Sequence, residues 1–339
     1  MATLSSSPLM LRRPGIVLRS GRMPADILKQ NLVHFKQLRS VEITNAALMT
    51  DFSLWEVLGN LPSLENLNME IDDLKSYPAH APENSNCQSG GVTGRYFDAL
   101  ESLHVAGSFL LIQHLLGFID SPYLKSIEVS PYYHKSGRER REAGDLLTPP
   151  MTIVAFKWSH SLKEIKIGSH DIIGITHRNS KFLMPLADLH EIQKFDLVGW
   201  RMEKNNDALR RLAMSWPKLR HLGLLAGLTP NDTFLSLSNL RKIAENCPEL
   251  RILDLELDID TIPSFDDISS KILCHKLEVL VVRGVHQSIP QISQECQIKI
   301  ARHLDLIFPY MSIYLNAHDR TWSGICDLVK LCQDARRGR

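Results

Sequence analysis

Leu250-Arg-Ile-Leu253-Asp-Leu255 carries two periodicities in six residues. Leu250 and Leu253 stand three apart, which suits a turn that leads into a strand. Leu253-Asp254-Leu255 then alternates apolar, polar, apolar, so two side chains point one way and Asp254 the other. The same unit, often with one more apolar residue three places upstream, recurs along the chain. The copies are Phe35-Lys-Gln-Leu38-Arg-Ser-Val41-Glu-Ile43, Leu61-Pro-Ser-Leu64-Glu-Asn-Leu67-Asn-Met69 and Phe97-Asp-Ala-Leu100-Glu-Ser-Leu103-His-Val105. They continue through Leu124-Lys-Ser-Ile127-Glu-Val129, Leu162-Lys-Glu-Ile165-Lys-Ile167 and Leu189-His-Glu-Ile192-Gln-Lys-Phe195-Asp-Leu197. Leu219-Arg-His-Leu222-Gly-Leu224 and Leu277-Glu-Val-Leu280-Val-Val282 complete the set of nine, and Met311-Ser-Ile-Tyr314 reads as a degraded tenth, anchored at 314.

The residues that open the apolar-x-apolar step lie 24 to 38 positions apart, with a mean near 30. That spacing is the long edge of the leucine-rich-repeat range. Between the steps run helix-like patterns. Asp51 to Leu58 starts on an acidic N-cap candidate. Asn206 to Met214 has helical spacing. Leu240 to Asn246 is stopped by Pro248. Each unit is therefore expected to be a strand followed by a helix. The fold class is α/β, an irregular leucine-rich-repeat horseshoe with a parallel sheet on the concave face and helices on the convex face. The β-branched steps Val41/Ile43, Ile127/Val129 and Ile165/Ile167 argue for strands over a purely helical array. An Asn or Cys three places after each strand is absent: Ala46, Asp72, Ser108 and Asp258 stand there, so those turns need other hydrogen-bond partners.

Composition agrees with repetition. Leucine occurs 50 times in 339 residues. The net charge of +1 excludes a strongly basic nucleic-acid binder. No run of about 18 apolar residues is present to span a membrane; Ser108–Ile119 is broken by Gln113 and His114. Six cysteines without a C-x-x-C pair read as buried, reduced thiols of a cytoplasmic or nuclear protein.

The organisation expected is an N-terminal segment (1–30), poorly ordered or a truncated remnant, a repeat domain (31–316), and a C-terminal capping helix with a basic tail (317–339) that frays from Arg336. The acid-free, arginine-bearing first 25 residues overlap in composition with a mitochondrial presequence. Two loop insertions are expected. Residues 72–96 hold Pro78, Pro82, Gly90, Gly91 and Gly94. Residues 130–149 hold the mixed-charge run Lys135 to Glu142 and end at Pro149.

At the family level, Cys247-Pro-Glu-Leu-Arg-Ile-Leu-Asp-Leu255 resembles the C-P-x-L-x-x-L-x-L phrase of F-box proteins with leucine-rich repeats. Trp216-Pro-Lys-Leu-Arg-His-Leu-Gly-Leu224 is the same phrase with Trp for Cys. Leu277 to Gly284, Ile300 to Pro309 and Trp322 resemble the C-terminal part of the F-box-like families of mushroom-forming fungi. The resemblance, over about residues 31–333, implies a receptor that brings a protein substrate to an SCF-type ubiquitin ligase, with an F-box docking a Skp-type adaptor. Met23-Pro-Ala-Asp-Ile-Leu28 looks like the opening of an F-box, but the first unit begins at Phe35 and leaves no room for a full one. Adaptor docking is expected only if an F-box exists elsewhere, and a free-standing scaffold is the alternative.

No H-E-x-x-H, G-x-S-x-G or G-x-G-x-x-G pattern is present. His170 and His177 read as a loop pair, no cofactor or metal is expected, and the chain does not read as an enzyme. The expected working surface is the row of x residues: Glu42, Asn68, His104, Glu128, Lys166, Asp196, Gly223, Asp254 and Val281. Four acids against one lysine make it a mildly acidic face for a basic or polar protein segment.

Overall fold

The computed structural model describes residues 15–18, 30–32, 34–44, 52–71, 96–132, 137–168, 181–200, 207–225, 235–255, 257–258, 272–282, 292–315 and 320–338. The protein is α/β. Its strands are β1 (Gly15–Leu18), β2 (Ser40–Thr44), β3 (Asn66–Glu70), β4 (Ser102–Gly107), β5 (Ser126–Pro131), β6 (Glu164–Ile167), β7 (Lys194–Val198), β8 (His221–Leu225), β9 (Leu235–Ser236), β10 (Ile252–Leu255), β11 (Leu257–Asp258), β12 (Val279–Val282) and β13 (Ser312–Leu315). Eleven of them form one sheet in which each strand neighbours the next in the chain, while β9 and β11 make a separate pair. Every pairing is parallel. Parallel neighbours need a long return path. Among the described residues, helices occupy such paths: α1 (Phe52–Gly59), α2 (Phe109–Phe118), α3 (Gly137–Trp158), α4 (Asp207–Ser215), α5 (Leu237–Asn246) and α6 (Gln294–Ile307), with a 3-10 helix at Lys181–Asp188, and α7 (Arg320–Arg337) follows the last strand.

The anchors read from the sequence fall into one register across the sheet: Val41, Leu67, Leu103, Ile127, Ile165, Phe195, Leu222, Leu253 and Leu280 pair in turn. All nine are buried, and they share one core with Leu54, Leu115, Val154, Leu212, Ile243 and Leu304 from the helices. Each fully buried aliphatic chain contributes about 1.5–3 kcal/mol of transfer free energy. The tenth anchor is corrected by one residue. Leu280 pairs with Ile313, not Tyr314. The turn from Met311 N–H to Phe308 C=O is followed by one residue fewer than in the other units, Ser312 N–H bonding the Glu278 carbonyl directly after it, and a one-residue slip exchanges the faces. Tyr314 therefore points outward.

The two apolar residues upstream of each strand close a turn, as in Leu64 N–H to Leu61 C=O (3.3 Å), Leu219 N–H to Trp216 C=O (3.1 Å) and Leu250 N–H to Cys247 C=O (3.1 Å). The carbonyl just before a strand then accepts two consecutive N–H groups of the next unit. Arg39 takes those of Glu65 and Asn66, and Arg251 takes those of Glu278 and Val279. Buried side chains tie one turn to the next. Trp158 Nε1 donates to the Ser121 carbonyl (2.8 Å) and Trp216 Nε1 to the Leu186 carbonyl (3.1 Å). His275 Nε2 donates to the Cys247 carbonyl (2.9 Å) while its Nδ1 accepts from Leu277 N–H (3.1 Å). These bonds satisfy turn carbonyls that no asparagine row serves. Ser108, one of the positions where such an Asn was missing, instead caps α2 by accepting from Leu111 N–H.

Three expected boundaries move. Residues 15–18, placed in a poorly ordered start, form β1 and pair with β2, because Ile16 falls in register with buried Val41. Residues 137–149, placed in a loop, lie in α3. The run Arg138 to Ala143 is rich in strong helix formers, and Pro149 and Pro150 sit inside the helix instead of ending it. The tail does not fray at Arg336, which is in α7. Its guanidinium pairs with the buried Asp305 carboxylate of α6 and donates to the Pro309 carbonyl. The helix is held by that latch, by Gln333 Nε2 donating to the Met311 carbonyl (3.0 Å), and by buried Trp322, Ile325 and Val329. The insertion at 72–95, Asp51, Cys87, the 170/177 histidine pair and the first 14 residues lie outside the described residues.

The five described cysteines are free thiols. Burial pushes Cys247 up to about 12 and Cys326 up to about 11, which disfavours the reactive thiolate at both. Three depart from the expectation of burial: Cys274 is exposed, and Cys296 and Cys332 are only partly buried.

Candidate functional site

The face of the sheet opposite the helices carries the predicted row. In register run Glu42, Asn68, His104, Glu128, Lys166, Asp196, Gly223, Asp254 and Val281, with Tyr314 beyond them. Alternation in a strand puts every second residue on this face. A second row lies beside the first, one residue before each anchor: Ser40, Asn66, Ser102, Ser126, Glu164 and Lys194 on the first strands, then His221, Ile252 and Val279. Reading only the apolar-x-apolar core missed this row. The period of two would have found it.

The centre of the face is a polar network. His104 Nδ1–H donates to Glu128 Oε2 (3.1 Å) and Lys166 Nζ reaches Glu128 Oε1 (2.6 Å). Two strands on, His221 Nε2–H donates to Asp196 Oδ1 (2.9 Å), with Lys194 Nζ 3.6 Å from the other oxygen. The imidazole of His104, helped by Lys166, holds Glu128 down at about 2 against the opposing effect of burial. Burial raises Asp196, but the hydrogen bond and charge of His221, with Lys194, outweigh it and leave the carboxyl below its ordinary value. So two of the four predicted acids are not spare negative charge, and the simple count of acids overstated what this part of the face offers a partner.

Gly223 is a space, not a gap in the row. A Cβ there would lie 2.1 Å from Asp196 Oδ1. The carboxylate crosses over Gly223 to reach His221, and no other residue leaves it that path.

Beyond β8 the face changes character: Ile252 pairs with Val279, and Val281 with Tyr314; the Val198–Leu225 pair at the ends of β7 and β8 leads into it. All are at least partly exposed, Tyr314 by 57%. Asp254 stands among them, half-exposed, between Gly223 and Val281 in the register.

Other chemistry is sparse among the described residues. They hold no group of three or more His, Cys, Asp or Glu placed to bind a metal ion. They include no helix long and apolar enough to cross a membrane. A cleft of about 320 Å³ lined by Asp120, Ser121, Pro122, Lys157 and Trp158 lies off the open face. Its Lys157 ammonium is held by the Gly117 and Ile119 carbonyls and Asp120, so it serves the C-terminus of α2.

Fold and face together define an α/β protein built on a long, sequentially ordered parallel sheet with one solvent-facing side. No protein-family model matches the chain, and no curated protein matches it.

Proposed function

We propose that the chain is a leucine-rich-repeat solenoid, curved with its sheet on the concave side, and that it works as a protein-interaction module. One observation carries the reading. The inward anchor row is apolar on every strand, whereas the outward row varies from acid to amide, imidazole, lysine, glycine, valine and tyrosine. Packing dictates the first row. A surface that meets a partner accounts for the variety of the second.

Within that class the chain is read as the substrate-binding repeat domain of an F-box-like adaptor for an SCF-type ubiquitin ligase, working in the cytoplasm or nucleus. The phrases at Trp216 and Cys247 support this. The second reading, a scaffold free of any ubiquitin role, is favoured by the division of the face into two chemically different parts, which suits two partners. Quantitative affinity purification separates them. The adaptor reading expects a Skp-type adaptor to co-purify in stoichiometric amount, with Glu42→Lys plus Asp254→Lys losing the substrate but not the adaptor. The scaffold reading expects no adaptor and partners lost with the face variants. If the double variant folds and retains every partner, the open-face reading falls.

A further inference from the structure

Neighbouring units of the stack are joined by exposed ion pairs: Arg39 with Glu65, Lys125 with Glu101, Lys218 with Glu191, Arg220 with Glu249 and Arg251 with Glu278. Among the described residues, β13 has a neighbouring strand on one side only. Its inward side chains, Ile313 and Leu315, are only partly buried, whereas the nine anchors before them are 0–2% exposed. Helix α7 packs on this last unit through Trp322, Ile325, Val329 and Gln333. It meets α6 through Gly324, which lies against Gln297, and through Arg336, which pairs with Asp305.

The side of α7 turned away from α6 carries Asp327, Lys330, Asp334 and Arg337, all exposed. Steps of three, four and three residues on a helix of 3.6 residues per turn put them in one stripe, at the end of the stack. Their charges alternate. Arg337 and Asp334 stand 3.9 Å apart, the limit of an ion pair, and Asp327 and Lys330 make no ion pair among the described residues. An alternating stripe of this spacing complements itself in one arrangement. With two α7 helices antiparallel and crossing at Cys332, Asp327 meets the second copy's Arg337 and Lys330 meets its Asp334, each pair occurring twice. A parallel copy sets like charge on like. Sliding the antiparallel pair by one turn sets Asp327 against Asp334, or Lys330 against Arg337. Charge therefore selects both the direction and the register of this contact.

We propose that the β13–α7 end of the molecule is the interface of a two-fold dimer with a second copy of this chain, α7 lying antiparallel on α7 through these four charges. Such a contact uses the same patch on both copies. Its axis runs from the open face to the helical side, so it also brings the two β13 strands together. Covering Ile313 and Leu315 supplies affinity, because exposed ion pairs contribute little apiece; the charges supply orientation. Both copies then turn their open faces to the same side. The inference stands apart from the protein-interaction reading, since it does not depend on what the open face binds.

The test is sedimentation velocity of the full chain between about 1 and 100 µM, the range in which a modest interface saturates. The wild type should dimerise. Lys330→Glu and Asp334→Lys should each weaken the dimer at least tenfold, because each reversal acts twice across the axis. Mixing these two variants should restore a dimer, since Glu at 330 then faces Lys at 334 and Lys330 faces Asp334. Both reversals in one chain should likewise restore it to within about threefold of wild type. These rescues keep the test clear of unfolding, because a misfolded variant does not recover on mixing. Glu42→Lys, on the open face at the other end, should change the dimer less than twofold. A wild type that stays monomeric throughout overturns the inference. So do single reversals that leave the dimer intact, or a mixture that stays monomeric. A dimer abolished by Val281→Asp but not by Lys330→Glu would form through the open face and also overturn it.

Discussion

The first strands of the sheet and the last are built on the same plan but satisfy their polar groups in opposite places. From β2 to β8 the ionisable groups sit outside, on the open face, where His104, Glu128, Lys166, Asp196 and His221 bind one another. From β10 onward the open face turns apolar, and the imidazoles go inside: His275 is 6% and His303 2% exposed. The inward leucine row does not register the change. Packing therefore fixes the backbone and half of each strand, and the remaining half is free to differ from one end to the other.

The strongest way to break this comparison is to cut the shared part. Leu103→Ala at β4 and Leu253→Ala at β10 each remove a side chain no more than 1% exposed. Each should cost about 2–5 kcal/mol, read as a shift in chemical denaturation. Both values should fall inside that range, the difference between them reporting how far each site collapses around the missing side chain. A near-zero cost at one end alone would mean that the ends do not share one core.

Acid should separate the ends. His275 is held below its ordinary value by burial, against the pull of its bond to the Cys247 carbonyl. His303 is lowered by burial as well, with Arg241 adding to it against the bond to the Leu237 carbonyl. His275 donates through Nε2 and accepts through Nδ1, so a second proton would set an N–H against the Leu277 N–H. A histidine lowered on folding stabilises the native state above its unfolded value near 6.5 and loses that contribution as pH falls toward its folded value. The carboxylates of the first half behave alike in sign but later in pH. Glu128 keeps its contribution above about 4.5 and loses it on the way to about 2. Titrated by denaturation, the wild type should therefore weaken in two stages. The stage beginning near pH 6.5 should flatten in His303→Leu, by at most about 1.4 kcal/mol per pH unit. The lower stage should persist there and flatten in Glu128→Gln. A single transition unaffected by His303→Leu would place the imidazole's effect elsewhere.

The inward half of the molecule was legible from sequence because its signal is periodic and repeats: nine anchors, each opening an apolar-x-apolar step, fell in one register. The outward half was legible in position but not in state. Spacing placed Glu128 and Asp196 on the face, yet nothing local says that His104 or His221, on neighbouring strands about 25 residues away, will engage them. Gly15–Leu18 was missed because a single four-residue strand carries no upstream turn leucines to mark it. Residues 137–149 were missed because their charge reads as solvation, whereas their helix propensity and the packing of the apolar second half, Leu147, Met151, Val154 and Trp158, carry the whole segment into α3.

The smallest effect tests the seam between the two halves. Gly223 is where the outward polar network ends and the apolar end begins, and its missing side chain is what lets Asp196 reach His221. Gly223→Ala puts a methyl group 2.1 Å from Asp196 Oδ1 in the present geometry. The neighbour is the end of a short side chain, not backbone, so the carboxylate swings aside and the strand stays. What is lost is one charge-assisted hydrogen bond at a carboxylate 15% exposed, about 1–2 kcal/mol. Ala also favours this extended backbone slightly over Gly, which offsets part of the cost. A double-mutant cycle isolates the bond: in an Asp196→Ala background the same Gly223→Ala should cost nothing or stabilise. If the cost is equal in both backgrounds, Gly223 is needed by the backbone, and the seam between the two halves is set by packing after all.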